Sequence, residues 1–132
     1  MSAYRYAQRT KVPVNQSRDE VERVLEKVGA SSLATMRDGT SAQVAFRIDG
    51  RNYVIRLPYP DGASEQEIRQ RWRALLLVVK AKLEAVEAGI TSAEAEFLAH
   101  AMLPSGQTLG EHLHDHPEQL TTSGRLMLPG GD

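Results

Sequence analysis

SEQEIRQRWRALLLVVKAKLEAVEAG, residues 64–89, reads as one long amphipathic helix. Ser64 is placed to accept from the Glu67 backbone amide while the Glu67 carboxylate reaches back to the Ser64 amide, a capping box. Gly89 closes the other end without a Cβ penalty. Between them Ile68, Trp72, Leu75, Leu76, Val79, Leu83 and Val86 recur at three- and four-residue spacing and form one apolar stripe. At 1.5 Å per residue the element is about 36 Å long, enough to cross a small domain. Leu77 and Val78 fall outside the stripe, so the helix calls for a second cover, supplied by the C-terminal segment or by a second subunit.

Working outward, the flanks of this helix carry the densest positive run in the chain. Arg69, Arg73 and Lys80 line one flank and Arg71 with Lys82 the other, with no acid among them. Such a run suits a grip on a phosphate backbone. It equally suits long side chains that lie beside a buried stripe with their heads in water.

Before the helix come two hairpin signals. Asp38-Gly39 and Asp49-Gly50 are dipeptides that two-residue type I′ turns favour, because both central residues need positive φ. Two-residue loops then set the register: Leu33 opposite Val44, Thr35 opposite Ala42, Phe46 opposite Tyr53, Val44 opposite Ile55 and Ala42 opposite Leu57. These residues share one face, which is the core face. The other face collects Ala34, Met36, Gln43, Ala45, Arg47, Asn52, Val54 and Arg56. It is either solvent-facing or a protein-binding surface, for which Met36, Arg47, Val54 and Arg56 are the candidates.

A second capping box, Ser17 with Glu20, predicts a helix from Ser17 to Gly29 with Val21, Val24, Leu25 and Val28 on its apolar side. Residues 1–16 read as an arm, extended at Val12-Pro13-Val14. Its Tyr4, Arg5, Tyr6, Arg9 and Lys11 interleave aromatic and basic groups, suited to nucleic acid or to packing two tyrosines on the domain. After the long helix, Thr91 with Glu94 predicts a third helix with Phe97, Leu98, Ala101 and Met102 on its apolar side. Thr108 with Glu111 predicts a short fourth that Pro117 disturbs, and residues 121–132 read as a tail.

Bulk composition narrows the function classes. At 132 residues, 41% hydrophobic and 25% charged, the chain makes one soluble domain, assigned to residues 17–120. It has no cysteine, which removes thiolate zinc sites and cysteine nucleophiles and fits a reducing cytoplasm. The longest apolar run, LLLVV at 75–79, is far too short to span a membrane, and the N-terminus has no signal-peptide h-region. The net charge of −1 hides an asymmetry, +6 over residues 1–82 and −7 over residues 83–132.

Catalytic signals are absent. There is no P-loop and no GxGxxG, and Ser31, Ser32 and Ser41 sit in no nucleophile elbow. His112, His114, Asp115 and His116 cluster, and on a helix His112 and His116 share a face at i, i+4, which suits a metal with a third ligand elsewhere. The spacing to Asp115 is not that of the HxHxDH metallo-hydrolases, Asp115 breaks the alternation of a histidine-triad strand, and His100 is remote in sequence. The expectation is a non-enzyme with no cofactor and no metal.

The element order is helix, three-stranded antiparallel meander, long helix, then one or two short helices. This is a two-layer α+β domain. The first five elements resemble the topology of the double-stranded-RNA-binding domain, whose basic cluster would correspond loosely to Arg69, Arg71 and Arg73. Here the helix is longer and the loop after the first strand is a bare Asp-Gly turn.

VPVNQSRDEVERVLEKVGA, RQRWRALLLVVKAKLEAVEAGI and EFLAHAMLPSGQTLGEHL resemble a family of small proteins encoded by bacteriophages and prophages, over roughly residues 12–113. The resemblance brings no functional residues with it. It implies an accessory protein of the bacterial cytoplasm that either handles DNA or RNA or binds and redirects a host protein, including a defence factor. The first expectation is nucleic-acid binding through Arg69, Arg71, Arg73, Lys80, Tyr4, Arg5, Arg9 and Lys11. The alternative is a protein-interaction module using the exposed sheet face. Self-association through the long helix is a further partner class.

Overall fold

The computed structural model describes residues 10–120 together with Gly124 and Leu126. Its first helix, α1 (Val14–Val28), begins one turn before Ser17. Pro13 is the N-cap in extended backbone, and the Ser17 amide donates to its carbonyl at 3.2 Å. The expected Ser17–Glu20 box is therefore not formed. Ser17 lies inside the helix, fully buried, and its Oγ has no hydrogen-bond partner. The extra turn brings Val14 onto the face of Val21, Val24 and Leu25, where it packs on the core, and a proline lacks only a donor that the first turn does not need. Gly29 ends α1 at a φ of 119°, its amide reaching the Leu25 and Glu26 carbonyls.

Three strands follow, β1 (Ser32–Arg37), β2 (Ser41–Ile48) and β3 (Arg51–Pro58), in the order β1-β2-β3 and antiparallel throughout. Between β2 and β3, Asp49 and Gly50 have φ of 50° and 78°, and Phe46, Val44 and Ala42 face Tyr53, Ile55 and Leu57 as expected. The first hairpin differs by two residues. Leu33 pairs with Phe46, Thr35 with Val44 and Arg37 with Ala42, so the turn is centred on Gly39-Thr40. Asp38 closes it from the first position. Its Oδ1 accepts from the Thr40 amide at 2.7 Å, the Thr40 hydroxyl at 2.8 Å and the Ser41 amide at 2.9 Å. A slip of two preserves which face each side chain takes, so the expected core face survives.

The long helix, α2 (Glu65–Glu87), is capped as its sequence requires. Ser64 accepts from the Glu67 amide and Glu67 from the Ser64 amide. Beyond the C-cap Ala88, Gly89 takes a φ of 75° while its amide and that of Ile90 donate to the carbonyls of Val86 and Ala85, a Schellman closure. Trp72, Leu75, Leu76 and Val79 are buried, and the Trp72 indole donates to the Tyr59 hydroxyl at 2.9 Å. α1 and α2 pack side by side on the inner sheet face, and they run in the same direction, since Gln66 meets Thr10 and Lys80 meets Glu20. Between helices and sheet lie Val21, Leu25, Trp72, Leu76, Val44, Phe46 and Tyr53, each worth about 1.5–3 kcal/mol on burial if aliphatic or phenyl and at least as much if larger.

The C-terminal segment departs from the expected third helix. Ser92, not Thr91, is the N-cap, and α3 (Ala93–Glu96) is a single turn followed by a 3₁₀ turn at Leu98–His100. Phe97 is buried edge-on against Phe46, whereas Leu98 is 46% exposed. Ala101 is extended and bridges Tyr53, and the Met102 amide donates to the Asn52 carbonyl at 2.9 Å. Pairing with the edge of β3 overrides the helical pattern there. Thr108 and Glu111 form their expected box and start α4 (Leu109–Asp115), and Pro117 opens a last 3₁₀ turn. Gly110 lets α4 sit close, since a Cβ there would stand 3.0 Å from the Ala99 carbonyl oxygen. No described helix is long and apolar enough to cross a membrane.

Candidate interaction surfaces

The basic residues of α2 do not form one surface. At 100° per residue, Arg69, Arg73 and Lys80 fall within about 40° of one another, while Arg71 and Lys82 fall roughly 160–220° round the helix. Most are engaged. The Arg69 guanidinium donates two hydrogen bonds to the Gln66 side-chain oxygen, the nearer at 2.7 Å, with Glu65 at 3.9 Å. Lys80 pairs with Glu20 of α1 at 3.4 Å. On the far flank Lys82 donates to the Glu96 carbonyl at 3.0 Å, with the Glu96 carboxylate at 3.7 Å. Arg73 makes neither a hydrogen bond nor an ion pair with the described residues. Lys11 is exposed near the start of the same helix pair. Tyr4, Arg5 and Arg9 lie outside the described residues.

The histidines also separate. His112 and His116 stack with ring centroids 4.2 Å apart. His112 Nε2 is 3.1 Å from the Gln119 amide oxygen, and His116 Nδ1 donates to the His112 carbonyl at 2.8 Å. These bonds finish the end of α4. His100 stands apart beside Lys82, and burial first, then the lysine, pushes its pKa below the ordinary 6.5, which leaves it neutral at pH 7. Among the described residues no three His, Asp or Glu groups converge to hold a metal ion.

The outer sheet face is built in rows that the observed registers define. One row runs Met36, Gln43, Arg56, the next Ala34, Ala45, Val54, and the third Ser32, Arg47, Asn52. The middle row carries only small or β-branched apolar groups. Between this row and the third is a depression of about 330 Å³, lined by Ser32, Ala34, Ala45, Arg47, Asn52 and Val54 among others. Arg47 donates to the Asn52 side chain at 3.0 Å, which holds one wall. Met36, 62% exposed, stands on the other side. Arg56 turns to the C-terminal segment, donating to Glu111 at 3.0 Å and to the Gly106 carbonyl at 3.1 Å. The Glu111 carboxyl lies below its ordinary pKa, chiefly because it accepts from the Thr108 amide, with Arg56 adding to the effect against partial burial.

Of the four residues proposed for protein binding, Met36, Arg47 and Val54 thus frame one open patch, and Arg56, still exposed, is tied at its corner to Glu111 and the Gly106 carbonyl. Ala34 and Ala45, which form its floor, were not singled out by sequence. Their signal is alternation on β1 and β2 together with the correct register. No protein family, curated protein or solved structure matches this chain.

Proposed function

We propose that this protein is a non-catalytic interaction module that captures an apolar side chain of a partner protein in the Ala34–Ala45–Val54 row. The single observation that carries the reading is that depression: α1 and α2 cover one sheet face, and the described elements leave the middle row of the other open. A shallow apolar pocket rimmed by arginine, amide and methionine is the kind of site where one anchoring residue supplies most of an interface's energy. The resemblance to small phage-encoded proteins supports a host protein as the partner.

A second reading, nucleic-acid binding, is favoured by the shared flank of Arg69, Arg73 and Lys80. It ranks lower because Lys80 and Arg69 already have acidic neighbours and the other two cations face elsewhere.

The deciding experiment combines affinity capture from bacterial lysate with anisotropy on labelled DNA and RNA at low and high salt. A discrete partner is expected with the native chain and with an Arg69/Arg73/Lys80→Glu variant, and is lost with Ala45→Glu, which fills the depression without touching the core. Nucleic-acid binding that salt and the triple variant abolish, with Ala45→Glu indistinguishable from native in both assays, overturns the reading.

A further inference from the structure

The sheet has two outer edges, and the chain treats them differently. It covers the β3 edge itself: Ala101 bridges Tyr53, and the Met102 amide donates to the Asn52 carbonyl. The β1 edge is open. The Asp38 amide donates to the Ser41 carbonyl, so Asp38, Met36 and Ala34 direct their backbone groups to β2, and the alternate residues Arg37, Thr35 and Leu33 turn theirs outward. No hydrogen bond among the described residues ends on those outward groups. The Thr35 hydroxyl donates to Glu22 of α1 at 3.1 Å, but it does so on the inner face and leaves the edge clear. Leu33 to Met36 hold no proline and no charge, the usual means of blunting an edge.

A second copy of the same strand answers this edge. Antiparallel pairing about a two-fold axis at Thr35 sets Thr35 opposite its own copy and Leu33 opposite Arg37. It is the only register in which these three residues all exchange both hydrogen bonds with one another. The side chains then complement each other. On the outer face Met36, 62% exposed, comes beside Ala34 of the second copy at the close spacing of a pair without hydrogen bonds, a large group over a small one.

On the inner face, charge completes the fit. α1 and β1 run in opposite directions across the short link at residues 29–31. Glu22 stands at Thr35, and Glu26 stands one turn nearer the end of α1, about 6 Å along, which matches the step of about 6.6 Å from Thr35 to Leu33. Arg37 of the second copy, opposite Leu33, is therefore level with Glu26. Arg37 and Glu26 are both exposed, and neither makes an ion pair among the described residues.

We propose that two copies of this chain pair through β1 across a two-fold axis at Thr35, joining their sheets into one, with Arg37 of each copy against Glu26 of the other.

Sedimentation velocity on the full-length protein from micromolar to millimolar concentration, with amide hydrogen exchange at both ends of that range, tests the pairing. A seam of one short strand from each copy is a small interface, and a dimer with a micromolar Kd is expected. The amides of Leu33, Thr35 and Arg37 are expected to exchange freely when dilute and to be protected when concentrated. Arg37→Glu and Glu26→Arg, both at exposed positions, are each expected to weaken the dimer at least about tenfold. Mixing the two variants is expected to restore association, because each then meets the opposite charge. Thr35→Pro removes an outward N–H and none of the bonds to β2, and it is expected to abolish the dimer while the fold persists.

The proposal falls if the protein stays monomeric at millimolar concentration, if the mixture associates no better than either variant alone, or if a folded Thr35→Pro variant still dimerises. It also falls if the protection gained on concentration maps to α2, or if the three edge amides are already protected in the dilute monomer, which would mean that a segment of the same chain fills the edge. Ala45 lies on β2, away from the seam, so self-association and partner capture can fail separately.

Discussion

The two Asp-Gly turns of the meander share a dipeptide and little else. Between β2 and β3 the backbone itself makes the turn, with Asp49 and Gly50 both in the left-handed region. Between β1 and β2 the turn is made by a side chain: the Asp38 carboxylate gathers three hydrogen bonds while Gly39 keeps out of that region. One turn depends on glycine's missing Cβ, the other on aspartate's acceptor. The same contrast recurs at helix starts. Ser64 and Ser17 each stand three residues before a glutamate, yet one caps a helix and the other is buried within one.

Substitutions that act on these devices separate the members of each pair. The largest difference is expected at the glycines. Gly50→Ala forces an L-residue into the left-handed region and is expected to lose about 1–2 kcal/mol. Gly39→Ala, with open space around its Cβ position, is expected to be neutral or to gain about 0.5 kcal/mol. Urea denaturation of both variants measures this, and equal losses would mean that the two turns are alike after all.

Next come the serines. Ser64→Ala removes a cap and is expected to cost about 1 kcal/mol. Ser17→Ala removes a buried hydroxyl without a partner and is expected to cost nothing or to stabilise. A comparable loss at Ser17 would restore it as a cap.

The smallest effect is a pH dependence. Three donors hold the Asp38 carboxyl below its ordinary 3.8, with the Thr40 amide first. A depressed carboxyl stabilises the fold above its unfolded pKa, and that contribution is lost as pH falls from about 3.8 through the lower folded value. Asp38→Asn is expected to flatten this part of the stability curve, and the Thr40 and Ser41 amide shifts of the native protein are expected to titrate below the usual aspartate range. Ordinary titration of those amides would show that the carboxylate does not hold the turn.

Local signals were enough where chemistry and neighbours agreed. α2 with its two ends, the β2–β3 register and the Thr108–Glu111 box were all legible from residues a few positions apart. Ser17 misled because its motif says nothing of Pro13, which admits a longer helix, or of Val14, which the core takes. Phe97 to Met102 misled because the pull of the β3 edge comes from residues about fifty positions earlier. The candidate site was half legible for the same reason. With Asp38-Gly39 at the centre of the turn, Ala34 falls beside Gln43; the observed register moves it beside Ala45 and creates the apolar row. The flanks of the α2 cations followed from helical angle alone, but their acids, Glu20 and Glu96, belong to elements that only the fold brings near.

The parallel seating of α1 and α2 has a kinetic side. Glu20 meets Lys80 across sixty positions of chain, and Val21 and Leu25 are sealed by a helix that is synthesised after the whole meander. Both hairpins close over short loops, so the meander forms from near neighbours, whereas the helix pair closes the longest loop in the core and meets the larger entropy of closure. During synthesis the apolar side of α1 therefore waits, uncovered, until α2 has left the ribosome. The capping box at Ser64 and the Schellman closure at Gly89 shorten that wait by making α2 a helix before it docks.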